Sequence, residues 1–204
     1  MASETPQSVA SVTALILAGG KSRRMGQDKA LLTINEVPML LRICTAAAAS
    51  ADAVAIITPR PQAYQVILPN EVGVIVETPM EAFHGPLLGL VKGADYGQGD
   101  WVLALACDLP NLTGGVLRRW RRQLAGVAAD KVAYLPHRDG RWEPLCGFYR
   151  RHCLADMHSF AQAGGRSFQK WLANQSVQAI PAVNPQWILN VNTQADLSRL
   201  SDQS

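Results

Sequence analysis

Seven short apolar runs, separated by longer stretches of helical periodicity, constrain this chain more than any other feature of its sequence. The runs cover 12–17, 53–58, 72–76, 101–106, 131–135, 145–149 and 177–180, and their length and apolar content suit buried strands. Between them, 39–49, 86–94, 113–124, 152–163 and 193–200 read as helices, with Thr113 and Thr193 placed as N-caps. This alternation predicts a mostly parallel sheet with helices on both faces. The turn signal in His137-Arg138-Asp139-Gly140-Arg141 adds a small antiparallel part, a hairpin between the strands on either side. A chain of 204 residues is enough for one such α/β domain, expected over 12–204, and short for two. Residues 1–11 are small and polar, without the cationic start and apolar core of a secretory signal, and read as a disordered tail.

In sheets of this kind ligands sit at the carboxyl ends of the strands. The first such end is the most informative. Leu15-Ile16-Leu17-Ala18 gives way to Gly19-Gly20, and Lys21, Arg23, Arg24 and Lys29 follow within nine residues. Glycines let backbone N–H groups approach phosphate oxygens, and the cations neutralise charge that the backbone cannot. The P-loop motif is excluded, because its first glycine would fall on Leu15. The dinucleotide fingerprint is excluded as well, since Gly19 and Gly20 are adjacent. A third kind of nucleotide-binding loop remains, weighed against a basic surface loop with turn glycines.

Four other segments carry polar chemistry. Cys107-Asp108-Leu109-Pro110 closes the run 101–106. Pro110 stops the strand and leaves Asp108 at the edge of the sheet, where a carboxylate can hold Mg²⁺ or simply form a turn. His84-Gly85-Pro86-Leu87-Leu88-Gly89 enters a helix, with proline at its first turn and glycines that admit a ligand. Asn190 and Asn192 alternate on an extended segment and project to one side, as a ligand site or as ordinary capping residues. Arg166 and Ser167, after Gly164-Gly165, fit a glycine C-cap followed by a new helix. The run Arg118-Arg119-Trp120-Arg121-Arg122 reads as a solvated helix face.

Composition narrows the class. A formal net charge of +3 fits an anionic small-molecule substrate and argues against a protein that coats nucleic acid. No apolar run approaches a membrane span. Cys44, Cys107, Cys146 and Cys153 form no C-x-x-C pair and read as buried thiols in a reducing compartment, which with the absence of a signal suggests the cytoplasm.

Residues 17–29, Leu-Ala-Gly-Gly-Lys-Ser-Arg-Arg-Met-Gly-Gln-Asp-Lys, resemble the signature L-A-G-G-x-S-x-R-M-G-x-D-K of the molybdenum cofactor guanylyltransferases. These are members of the nucleotidyltransferase superfamily, and the resemblance implies its three-layer, Rossmann-like, single-domain fold. It also implies transfer of GMP from GTP to the terminal phosphate of Mo-molybdopterin, with Mg²⁺ as cofactor. On this resemblance Leu17, Ala18, Gly19, Gly20, Lys21, Lys29, Glu77, Gly85 and Asp108 bind GTP. Arg24, Lys29 and Asp108 are catalytic, Asp108 holds the metal, and Asn190 and Asn192 meet the pterin. The acidic contact to guanine falls on Glu77 or, by strict counting, Thr78, and a carboxylate accepts the two guanine N–H donors better than a hydroxyl. Gly19 and Gly85 match L-A-G-G and G-P-L of the guanine branch, whereas the cytidylyl branch tends toward A-A-G and P-P-L. Glu143-Pro144-Leu145-Cys146-Gly147-Phe148-Tyr149 resembles the family's strand that shapes the pterin pocket, and Arg166 and Ser167 resemble its short G-x-R-S-type element, which implies a contact to substrate phosphate. Acceptor molybdoenzymes or their chaperones are implied partners. Two rivals are set beside this reading: another nucleotidyltransferase using CTP or a sugar or terpenoid phosphate, and a non-catalytic nucleotide-binding cofactor carrier.

Overall fold

The computed structural model describes residues 10–19, 28–78, 85–191 and Asp196. The main sheet is built from β1 (Val12–Leu17), β4 (Ala53–Thr58), β5 (Gly73–Val76), β6 (Trp101–Ala106), β7 (Ala133–Leu135), β10 (Cys146–Arg150) and β11 (Val177–Ala179). Their order across the sheet is β11-β7-β10-β6-β1-β4-β5. Neighbours pair in parallel except β10, which runs against both β6 and β7. Each expected strand is present, with ends shifted by at most two residues.

Alternate side chains of the two central strands face opposite layers, as the period of a strand requires. Ala14 and Ile16 of β1, with Leu103 and Leu105 of β6, pack under the helices Met39–Ala48 and Gly114–Gln123. Leu15, Val102 and Ala104 pack on the other face, against the helices Pro86–Lys92, Cys153–Gln162 and Phe168–Leu172. Strands covered on both sides read as unbroken apolar runs, which is why β1 and β6 stand out in the sequence.

Thr113 caps its helix as expected, its hydroxyl accepting from the Val116 N–H. Asp139 and Gly140, both at positive φ, turn the hairpin between β8 (His137–Arg138) and β9 (Arg141–Trp142). Thr193 and most of the last expected helix lie outside the described residues. No helix of the described residues is long and apolar enough to cross a membrane.

Two expectations are corrected. Ala10 and Ser11, assigned to the tail, are fastened to the body: the Ser11 carbonyl accepts from the Trp101 N–H at 3.0 Å, and the Ala10 carbonyl accepts from Arg121. Residues 1–9 lie outside the described residues. The arginine run is divided rather than uniformly solvated, because the Arg121 guanidinium also pairs with Asp52 at 2.8 Å and donates to the Ser50 carbonyl. Arg118, Arg119 and Arg122 are exposed, Arg119 lying 4.9 Å over the Trp187 ring.

Candidate active site

Register sets the centre of the site. Leu17 of β1 lies opposite Ala106 of β6, so Gly19 and Asp108 leave the carboxyl rim of the sheet side by side two residues later. The edge on which Asp108 stands is thus this rim, since β6 is a central strand. The Cys107 N–H donates to the Leu17 carbonyl at 3.3 Å, and the buried Ala18 N–H donates to the Ile57 carbonyl at 2.9 Å. Gly19 has a steric reason: a Cβ there would meet Pro59 Cδ at 2.4 Å. Gly20, Lys21 and Arg24 lie outside the described residues.

The chain is described again at Asp28, which caps the single turn Lys29–Leu31 by accepting from the Ala30 N–H. Lys29 Nζ then stands 3.7 Å from Asp108 Oδ2, both side chains less than one fifth exposed (19% and 17%). At that depth their attraction is stronger than between solvated charges. Asp108 Oδ1 accepts from Asn190 Nδ2 at 2.7 Å, and the Asp108 carbonyl accepts from the Val191 N–H at 3.1 Å. The structure therefore brings Lys29, Asp108 and Asn190 together from three distant parts of the sequence. Asn192 and His84 lie outside the described residues. The sequence reading assigned no role to Asp28 or Tyr64. An aspartate ahead of a turn is a legible capping signal, but nothing local marks Tyr64.

No group of three His, Cys, Asp or Glu capable of caging a metal exists among the described residues. That does not count against Mg²⁺, which is held by one or two carboxylates and completes its shell with water and substrate phosphate. Asp108, with oxygens turned to Lys29 and Asn190, fits such a site. Cys107 beside it is no nucleophile: burial, reinforced by the Asp108 charge, pushes its thiol up to about 12, so it stays protonated at neutral pH.

Glu77 follows β5 and is 7% exposed, its N–H donating to the Thr58 carbonyl at 2.8 Å. Its carboxylate lies against Gly89, where a Cβ would approach Glu77 Oε1 to 3.0 Å and Leu17 Cδ2 to 3.2 Å. Thr78 is exposed. Gly85 adopts φ 93° and ψ 174°, a conformation open essentially to glycine alone, and so sets the backbone entering Pro86–Lys92.

On the β7–β10 side of the same rim, a cleft of ≈ 460 Å³ is lined by Arg138, Arg141, Trp142, Glu143 and Ser167 among others. Gln169 joins its two walls, donating to the Trp142 carbonyl at 2.7 Å. Ser167 caps the helix Phe168–Leu172, and Arg166 donates to the Ala161 and Gly165 carbonyls, so both serve the glycine cap and new helix.

A family model described as the MobA-like NTP transferase domain matches residues 14–179. A Nostoc protein named "Probable molybdenum cofactor guanylyltransferase" is 47% identical over 92% of this chain and 89% of its own length. A Synechococcus elongatus protein of the same name is 42% identical, over 92% of this chain and 96% of its own. Among solved structures, molybdopterin-guanine dinucleotide biosynthesis protein A from Archaeoglobus fulgidus superposes with a TM-score of 0.73 at 19% identity, over 94% of this chain and 97% of that one. A Mycobacterium tuberculosis protein solved as a complex with manganese superposes with a TM-score of 0.65 at 16% identity, over 95% of this chain and 100% of its own.

Proposed function

This chain belongs to the MobA-like NTP transferase family, among the molybdenum cofactor guanylyltransferases, and we propose how its residues divide the work of that reaction. The enzyme is a nucleotidyltransferase that moves GMP from GTP to Mo-molybdopterin, giving the guanine dinucleotide form of the cofactor and pyrophosphate. A terminal phosphate oxygen of Mo-molybdopterin attacks the α-phosphorus of GTP. The new P–O bond forms as the bond to the bridging oxygen breaks, and pyrophosphate leaves with that electron pair. The attacking group is already an anion, so the protein needs no nucleophile of its own, in keeping with the protonated Cys107.

Catalysis then rests on position and charge. Asp108 is the residue that would hold Mg²⁺, whose contribution when bound is to neutralise charge on the α-phosphate. Lys29 stabilises the charge that builds on the phosphates and on the departing pyrophosphate. Gly19 and Gly20 bring backbone N–H groups to the nucleotide, and Lys21 and Arg24 add positive charge. Glu77 accepts from guanine N1–H and N2–H, with Gly85 and Gly89 leaving room for the base. Asn190, with Asn192 two residues on, faces the pterin substrate. The single observation that carries this reading is the Lys29–Asp108 pair, 3.7 Å apart at the rim shared by β1 and β6.

The test is calorimetric titration with GTP, CTP and ATP in the presence of Mg²⁺, followed by pyrophosphate release with Mo-molybdopterin. Selective GTP binding and release that depends on both substrates is the expected outcome. A preference for CTP, or binding without release, would return one of the two rivals.

A further inference from the structure

Both described ends of the glycine- and cation-rich segment are fastened to one piece of chain, residues 57–64. At its start, the Ala18 N–H donates to the Ile57 carbonyl, and Gly19 lies so close to Pro59 that a side chain would collide with it. At its end, Asp28 is held from three directions. Its Oδ1 accepts from the Ala30 N–H at 3.1 Å, and its Oδ2 accepts from the Tyr64 hydroxyl at 2.7 Å and pairs with Arg60 Nη2 at 3.1 Å.

The geometry has a physical logic. Tyr64 is completely buried under β4, and a phenol hydroxyl at that depth needs a partner, which Asp28 supplies. The Asp28 carboxylate in turn offers its oxygens to protein donors, so it acts as a peg for the chain. The next residue is Lys29, in the turn that Asp28 caps. The Lys29 backbone therefore inherits its position from Tyr64 and Arg60, and its ammonium reaches Asp108 from there.

We propose that Tyr64, assisted by Arg60, is a positioning residue for nucleotidyl transfer: acting through Asp28, it fixes where Lys29 stands at the phosphates of GTP. The inference rests on the role given above to Lys29. Neither Tyr64 nor Arg60 needs to touch either substrate. Because the half-exposed Arg60 pair is screened by water, the Tyr64 hydroxyl carries the larger share.

A double-mutant cycle on kcat/KM for GTP tests this, using Tyr64→Phe, Lys29→Ala and the double variant with Mo-molybdopterin as acceptor. Tyr64→Phe keeps the buried ring and removes only the hydroxyl. A hydrogen bond to a charged group is worth about a tenfold to hundredfold effect, so a loss of at least about tenfold is expected, with KM for Mo-molybdopterin unchanged. In the Lys29→Ala background the same change should cost almost nothing. An equal loss in both backgrounds overturns the inference, because a merely structural tyrosine acts independently of Lys29. So does wild-type kinetics in Tyr64→Phe beside an impaired Lys29→Ala. Wild-type kinetics in Lys29→Ala itself overturns the role of Lys29, and this inference with it. If Tyr64→Phe lowers the melting temperature, Arg60→Gln supplies a second cycle. There a loss of about threefold that vanishes with Lys29→Ala supports the inference, and an additive one overturns it.

Discussion

Replacing Arg151 with alanine should destabilise the protein severely while leaving its chemistry intact. Arg151 follows β10, and its guanidinium donates to the carbonyls of Ala94, Tyr96 and Gly99 and to the Thr13 hydroxyl. Thr13 is 1% exposed. One side chain thus ties residues 94–99 to the amino end of β1 and the carboxyl end of β10. Hydrogen bonds from a charged donor contribute about 1.5–3 kcal/mol each, but four sharing one head are not additive, and water can replace the protein at the outermost carbonyls. A net loss of about 3–4 kcal/mol follows, in the range for breaking a partly buried charged network. For a chain of this size that is a fall of about 10 °C in melting temperature. Urea unfolding followed by fluorescence of the five tryptophans measures it, with the slope unchanged. Arg151→Lys should lie between, because an ammonium cannot reproduce the planar fork. Activity below the transition should be normal, since Arg151 sits at the end of the sheet opposite Asp108. A loss below about 1 kcal/mol for alanine, or a lysine variant as stable as the parent, would refute this account.

Three further outcomes are expected. Asp108→Asn keeps an oxygen able to accept from Asn190, so stability should hold while kcat falls about a hundredfold or more in a pyrophosphate-release assay with Mg²⁺; near-normal turnover would remove the metal role. Gly89→Ala puts a methyl against the Glu77 carboxylate and Leu17, so KM for GTP should rise about tenfold for the loss of one charged hydrogen bond to the base, and an unchanged KM would move the base contact away from Glu77. Burial raises the thiols of Cys44 and Cys153 to about 12, above their unfolded values near 9, so only the unfolded chain releases these protons between those limits. Stability should therefore be intact below pH 9 and fall as pH rises toward 12, with both thiols resisting alkylation in the native state; an unfolding midpoint independent of alkaline pH would contradict it.

Much of this architecture is legible in the sequence because the central strands are covered on both sides. Burial of both faces writes β1 and β6 as continuous apolar runs, and the same logic places Asp108 just beyond one of them. What escaped was either too short or too distant to leave a local trace. The hairpin of β2 (Thr33–Ile34) and β3 (Val37–Pro38) turns on Asn35 and Glu36, both at positive φ, without the glycine that usually announces such a turn. The helix Pro61–Gln65 is barely more than one turn and shows no periodicity. Arg121 resembles its exposed neighbours Arg119 and Arg122 in sequence, and only the fold selects which guanidinium turns inward. Within the site, the residue types of Lys29, Asp108 and Asn190 point to phosphate and metal chemistry. Their meeting depends on the register of β1 with β6 and on the Val191–Asp108 backbone bond, and neither is local information.

The placement of β1 and β6 as hydrogen-bonded neighbours at mid-sheet has an engineering consequence. Of the groups assigned to bond-making, Asp108 emerges from this seam, whereas Glu77 comes from the outer strand on one flank and the Arg138–Ser167 cleft opens on the other. On that assignment, reaction and recognition of the base occupy separable parts of the same sheet. A redesign that exchanges the base would be confined to the β5 flank, with the seam kept as a fixed chassis.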